Sequence, residues 1–167
     1  MASDVFVPGP GTERRFRDAL GAFATGVTVV TARSPAGPIG ITANSFASLS
    51  LDPPLVLWSP ARFSQRFPVF VEASHFAIHV LAEEQSDLGN HFARQGHDFG
   101  LPDVTINAQG VPILPGCLAV FECSREAVHE GGDHAIVVGR VLAARHRAGA
   151  PLVFSAGRFG RFNPTSD

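Results

Sequence analysis

The chain has 167 residues, 45% hydrophobic and 17% charged, with a formal net charge of −2 and a mean hydropathy of +0.15. That is about one domain in length, and neither the charge balance nor any Lys/Arg run makes a case for nucleic acid. No apolar run approaches the roughly 18 residues that span a bilayer, and Met1-Ala2-Ser3-Asp4 lacks a signal peptide's layout, so no membrane partner and a cytoplasmic location are expected.

Residues 1–11, rich in Pro and Gly, read as a flexible N-terminal arm. Thr12 is placed to cap a first helix in which Phe16, Leu20 and Phe23 repeat at helical spacing, with Gly26 ending it. Val27–Ala32 is a β-branched strand, and Ser34–Pro38 turns the chain into a long alternating segment, Gly40–Pro54. Leu55–Trp58 follows as a short strand. Ser59 then reads as the N-cap of a second helix with Pro60 at its first position, Phe63, Phe67 and Phe70 on one stripe, and Pro68 kinking or shortening it.

Phe76–Leu81 is another strand, Gln85–Arg94 a helix with Leu88 and Phe92 four apart, and 95–116 a loop with a short strand. Leu118–His129 and Asp133–Arg147 are long strands joined at Gly131-Gly132, a hairpin signal that sets Glu130 opposite Asp133 and His129 opposite His134. Pro151–Phe154 closes the set. Strands in runs, without regular βαβ alternation, argue for a mainly β fold with a few helices, an antiparallel barrel, in a single domain over 12–163 with a tail at 164–167.

Between Arg33 and Arg62 the only charged residue is Asp52. Read with a period of two, the even positions of the alternating segment are Thr42, Asn44, Phe46, Ser48 and Ser50. An ordinary solvent face would carry Lys, Glu or Arg; hydroxyls and an amide suit a neutral, hydrogen-bonding heterocycle. The competing reading is a sheet edge whose Ser and Thr pair with neighbouring backbone. At Ser59 a helix N-terminus with Arg62, Ser64 and Arg66 nearby suits phosphate, and a plain cap with solvated arginines is the alternative.

At the hairpin, Asp133 is expected to turn to backbone donors and leave His134 displayed, to bind substrate, move a proton or merely stand at a surface turn. No HExxH or CxxC accompanies it, so no metal is expected. Gly157-Arg158-Phe159-Gly160-Arg161-Phe162 alternates cation and ring, a pattern that grips a nucleotide or ties the tail down. GxGxxG, P-loop and GxSxG motifs are absent, against a Rossmann dehydrogenase, a kinase or an α/β-hydrolase. Cys117 and Cys123 lie in apolar strand contexts that favour inert packing. So few charges on a single domain point to surface buried against a second copy or a ligand.

Taken together, Gly26–Thr31, Thr42-Ala43-Asn44-Ser45-Phe46 with Ser50-Leu51-Asp52-Pro53-Pro54, Phe76–Leu81, Leu88–Ala93, Gly132-Asp133-His134 with Ile136 and Gly139, and Gly157-Arg158-Phe159 resemble the flavin reductase family. These are short split-barrel flavoproteins that supply reduced flavin to two-component monooxygenases. The resemblance runs from Phe16 to Phe162 and implies an FMN-binding split barrel, FAD or FMN as flavin, NADH as reductant with NADPH possible, a homodimer, and a flavin-dependent monooxygenase as partner.

It also implies that Thr42, Ala43, Asn44, Ser45, Ser48, Leu49 and Ser50 meet the flavin ring and ribityl chain, and that Ser59, Arg62 and Ser64 with Phe92 and Ala93 hold its phosphate. His134 positions the nicotinamide, beside Arg158 and Phe159. Two departures stand out. Phe159 sits where the family often has Tyr, and Trp58-Ser59-Pro60 replaces smaller polar residues. A split-barrel oxidase with tightly held flavin, and a flavin-binding module without a reductant site, are the competing functions.

Overall fold

A computed structural model describes residues 4–165. In chain order they form α1 (Glu13–Gly21), β1 (Thr25–Gly26), β2 (Thr28–Ser34), β3 (Gly37–Ala43), β4 (Ala47–Leu51), β5 (Pro54–Trp58), α2 (Phe67–Glu72) and β6 (His75–Val80). A 3₁₀ turn (Glu83–Gln85), α3 (Ser86–Arg94), β7 (Thr105–Ile106), β8 (Pro112–Ile113), β9 (Ala119–Gly131), β10 (His134–His146), β11 (Leu152–Ser155) and β12 (Arg158–Arg161) follow. Seven strands make one sheet in the order β3-β2-β6-β9-β10-β5-β4; β1-β11-β12 form a second and β7-β8 a short ribbon. Every neighbouring pair is antiparallel, as the runs of strands imply. Among the described residues the large sheet is open, with β3 and β4 at its edges.

Where a strand lies in that order decides how it buries. Val29, Ala77 and Phe92 belong to one apolar cluster, whereas Val30, Ala32, Phe76 and Ile78 belong to another with Trp58 and Phe70. Central strands β2 and β6 are therefore covered on both faces, and their burial is almost continuous instead of alternating. Trp58, Phe70 and Phe76 are fully buried, and the Trp58 and Phe70 rings meet edge to face at 5.2 Å. Each such ring stabilises by roughly 1.5–3 kcal/mol through burial. Together they fix the base of β5, from which the 59–66 segment departs.

Three local expectations are corrected. The first helix stops at Gly21, because Thr25 and Gly26 are recruited as β1 opposite Phe154 and Val153. Its apolar stripe faces outward: Phe16, Leu20 and Phe23 are all exposed. Thr12 turns its hydroxyl to Gly9 and Val7 and makes no side-chain cap.

No helix begins at Ser59. The Ser59 N–H donates to Ser45 Oγ (2.9 Å), Arg62 N–H donates to Asp133 O (2.8 Å), and Pro60 O accepts from Ala135 N–H (3.1 Å). Pro60 O, which a helix would pair with Ser64 N–H, is taken by the β9–β10 hairpin, and Ser64 N–H bonds Ala61 O instead (3.1 Å). The helix starts instead at Phe67, with Pro68 in its first turn, where proline is tolerated, so Pro68 begins the helix and Phe63 is left exposed in a turn.

The hairpin register is one residue from the expected one. Gly131 pairs with His134 and Glu130 with Ala135, so the two-residue loop is Gly132-Asp133. A positive φ (72°) at Gly132, the first central residue, is the type II′ pattern, whose twist matches the strands. The alternating segment forms two strands with a bend between them at Asn44-Ser45-Phe46, one of the two forms its period of two allows.

Candidate functional site

The break at Asn44 opens a cavity of about 750 Å³ between β3, the 59–66 segment, the end of α3 and the hairpin tip. Strand β3 is its long wall. As an edge strand it has one side free of β2, and Gly40 shows where that side points: its N–H donates to Gly96 O (2.8 Å) and its carbonyl accepts from Arg66 Nη1 (2.9 Å). By the two-residue period of a strand, the main-chain groups of Thr42 share that direction. Gly40 is required here, since a Cβ would lie 2.6 Å from the Phe92 ring. The Thr42 hydroxyl donates to Gly89 O (2.6 Å), tying β3 to α3. At the far end Ser45 Oγ accepts from Ser59 N–H and donates to Ser59 O (3.2 Å), a clasp that fixes the mouth.

The hairpin delivers His134 to this cavity. Its Nδ1 lies 2.7 Å from Asp133 Oδ1. A carboxylate only accepts, so Nδ1 carries the proton and Nε2 is the nitrogen left for a ligand. The same hydrogen bond, with the attraction of the ring, holds the Asp133 carboxyl below its usual range. Asp133 thus orients the histidine, where backbone donors were expected. Arg62 serves the hairpin as well: it donates from Nε to Gly132 O (3.2 Å), pairs with Glu130 and lies over the Phe67 ring.

At the opposite end stands Arg66. It donates to the carbonyls of Gly40, Phe92 (2.6 Å) and Ala93 (3.0 Å), and burial lowers its pKa, with no carboxylate contributing to the shift. Arg94 and His97 line the same end, and among the described residues no Asp or Glu lines the cavity. In the floor, the Trp58 indole Nε1 is buried without a protein acceptor. A planar, hydrogen-bonding group carrying an anionic tail fits this lining: outward main-chain groups and uncharged side chains along the wall, cations at one end.

The structure thus gathers Thr42, Ala43, Asn44, Ser45, Ser59, Ser64, Ala93 and His134 around one space. Ser48, Leu49 and Ser50 lie apart on β4, at the other edge of the sheet. Phe92 is buried beneath Gly40 and offers only its carbonyl. Phe159, with Asn90 and Phe154, lines a smaller cavity of about 280 Å³ that shares Thr42, Ala43, Asn44 and Ala93 with the large one, while Arg158 is exposed on β12. Asn44 and Ser45 also border a third cavity, of about 820 Å³, next to the exposed Leu20 and Phe23 of the α1 region. Arg94 and His97 were not singled out from sequence. Only the docking of α3 on β3 carries them there, although Arg94 directly follows Ala93.

The chain is similar to known proteins over most of its length. A flavin reductase like domain family matches residues 20–163. The FMN reductase (NADH) SmoA of Agrobacterium fabrum is 63% identical over 95% of this chain and 91% of its own. The flavin-dependent monooxygenase reductase subunit HsaB of Rhodococcus jostii is 42% identical over 90% of this chain and 78% of its own. Streptomyces globisporus NADH:FAD oxidoreductase SgcE6, solved in complex with NAD and FAD fragments, superposes with a TM-score of 0.89 at 37% identity, covering 98% of this chain and 100% of that one. An antiparallel, mainly β chain with a cavity along an edge strand, matched over most of its length, belongs to the flavin reductase like domain family.

Proposed function

We propose that this protein is an NADH-dependent flavin reductase, taking FMN or FAD, that releases reduced flavin to a partner monooxygenase. The carrying observation is the cavity along β3, lined by no acid among the described residues, with a hairpin histidine at one end and Arg66 at the other. Its relatives are named for this activity and for monooxygenase reductase subunits.

Hydride transfer from nicotinamide to flavin is chemistry that the two cofactors supply when bound. The protein's part is to bind, orient and exclude water. Main-chain groups of Thr42 and the rim carboxamide of Asn44 present neutral partners to a flavin ring. The Ser45–Ser59 clasp holds the mouth, and Asp133 keeps the His134 Nε2 free to meet the nicotinamide. No group has to supply or remove a proton for hydride to pass.

The functional unit in this reading is a homodimer in a reducing, cytoplasmic compartment. Its support is the outward stripe Phe16, Leu20 and Phe23, which on a lone chain stays in water, and two unpaired, buried cysteines. No helix among the described residues is long and apolar enough to cross a membrane.

Anaerobic NADH oxidation tests the activity. Turnover that scales with added free FMN or FAD supports the reductase. Turnover independent of added flavin, with flavin retained on the protein, makes it an oxidase-type flavoprotein. Flavin binding without NADH oxidation leaves only a binding module. Elution at twice the chain mass checks the dimer.

A further inference from the structure

The geometry points to Arg62 as a positioning residue for the nicotinamide: it latches the β9–β10 hairpin to the 59–66 segment and α2, and so holds His134 at the cavity, with no contact of its own to the flavin. This rests on reading the cavity as a flavin site with His134 facing the reductant. It goes beyond that reading by taking Arg62 away from the flavin and giving it to the hairpin.

Residues 58–61 and 63–66 all line the cavity, and Arg62 alone in that run does not. Its guanidinium reaches the hairpin tip instead. Nε donates to Gly132 O (3.2 Å), Nη2 pairs with the Glu130 carboxylate, and Cζ lies 5.2 Å from the centroid of Phe67, the first residue of α2. One side chain therefore joins the end of β9, the turn and a helix.

The tip needs such a tie. Strand β9 buries no residue over 124–131, and the turn that follows it is exposed. With no apolar packing there, polar contacts decide where the tip stands. Main-chain bonds hold it at Asp133, whose carbonyl accepts from Arg62 N–H (2.8 Å), and at Ala135, whose N–H donates to Pro60 O (3.1 Å). The Arg62 side chain adds the hold on Gly132 and Glu130. Asp133 sits between those two sets of contacts, and its carboxylate fixes the His134 ring. A turn that shifts carries that carboxylate with it.

Charge favours the same arrangement. The tip carries two acids: His134 answers Asp133, and Arg62 answers Glu130. Without Arg62, the Glu130 carboxylate stands unpaired one residue from the partner of His134 in the strand register, facing a dinucleotide that is itself an anion. An exposed ion pair alone contributes little. Here the ring and the carbonyl already fix the planar fork, so less side-chain freedom is lost in pairing.

NADH kinetics, calorimetry of NAD+ on the flavin-loaded protein and flavin binding by fluorescence quenching test this together. Arg62→Gln is expected to raise the KM for NADH and the Kd for NAD+ by about tenfold, leaving kcat at saturating NADH and flavin affinity unchanged. Arg62→Lys keeps the charge and loses the fork, so a rise of about fivefold is expected. Glu130→Gln is expected to raise both by about threefold. The double variant, Arg62→Gln with Glu130→Gln, is expected to be no worse than Arg62→Gln, because the two partners act as one unit. An unchanged KM for NADH in Arg62→Gln, a flavin affinity that falls as far as the NADH affinity, or losses that multiply in the double variant would overturn the latch while leaving the flavin cavity standing. A wild type that binds flavin yet neither oxidises NADH nor binds NAD+ removes the reductant reading and the latch with it.

Discussion

His79 makes the stability of this fold depend on pH above the carboxylate range. It is fully buried on β6. Its Nδ1 lies 3.0 Å from Val29 O, and Leu114 N–H donates to its Nε2 at 3.1 Å. A carbonyl only accepts and an amide only donates, so the ring is neutral with the proton on Nδ1. Protonation would put an N–H against the Leu114 N–H inside an apolar cluster. Burial accordingly pushes the pKa down from 6.5 to about 4.

The folded value is depressed, so above 6.5 both states are neutral and stability is at its full value. As pH falls below 6.5 the unfolded chain binds a proton that the folded chain refuses, and stability drops by about 1.4 kcal/mol per pH unit until the folded ring titrates. Between pH 7.5 and 5 the loss is about 2 kcal/mol, a sizeable part of a typical 5–15 kcal/mol. The Glu126 and Asp133 carboxyls, held low by Arg140 and His134, give up their contributions only below their ordinary values of 4.5 and 3.8. Urea unfolding at pH 7.5, 6.5, 5.75 and 5 reads the slope, and His79→Gln, less stable throughout, is expected to abolish it. A flat profile in the wild type, or the same slope in His79→Gln, would refute the reasoning.

Three further outcomes are expected. His134→Ala should raise the KM for NADH by about tenfold with flavin affinity unchanged, as for loss of one hydrogen-bonding group in the ternary complex; an unchanged KM removes His134 from the nicotinamide site. Gly139→Ala places a Cβ 2.6 Å from Phe76 Cζ and 3.0 Å from Cys123 Cβ, so it should destabilise by about 1–3 kcal/mol, read as a lower urea midpoint. Burial pushes the Cys117 and Cys123 thiols up to about 11 and 12, so native protein at pH 7.5 should resist thiol reagents that label both once urea unfolds it.

Much of the molecule was legible one segment at a time. Apolar, β-branched runs gave β2, β5, β6 and the β9–β10 hairpin, and the lack of charge between Arg33 and Arg62 drew attention to the cavity's long wall. Those features are local: a period of two, a turn glycine, a missing charge. What was misread required knowing a neighbour. Ser59 has the residues of an N-cap, yet the Pro60 carbonyl that its helix would need is claimed by Ala135, far along the chain. The Gly131-Gly132 pair allows two turn registers, and the packing of the hairpin against Pro60 and Ala61 is made in the one that loops through Asp133.

By itself the sequence determined the antiparallel β class, the family and the uncharged stretch that became β3, because each is written in short-range pattern and composition. Only the tertiary structure decided which hydroxyls stay available and which cation stands in the cavity. Thr42 and Ser45 spend their side chains on Gly89 and Ser59, and Arg66 stands at the cavity's end where Arg62 does not. A hydrogen bond is settled by the group that arrives within about 3 Å, and that group comes from a distant part of the chain.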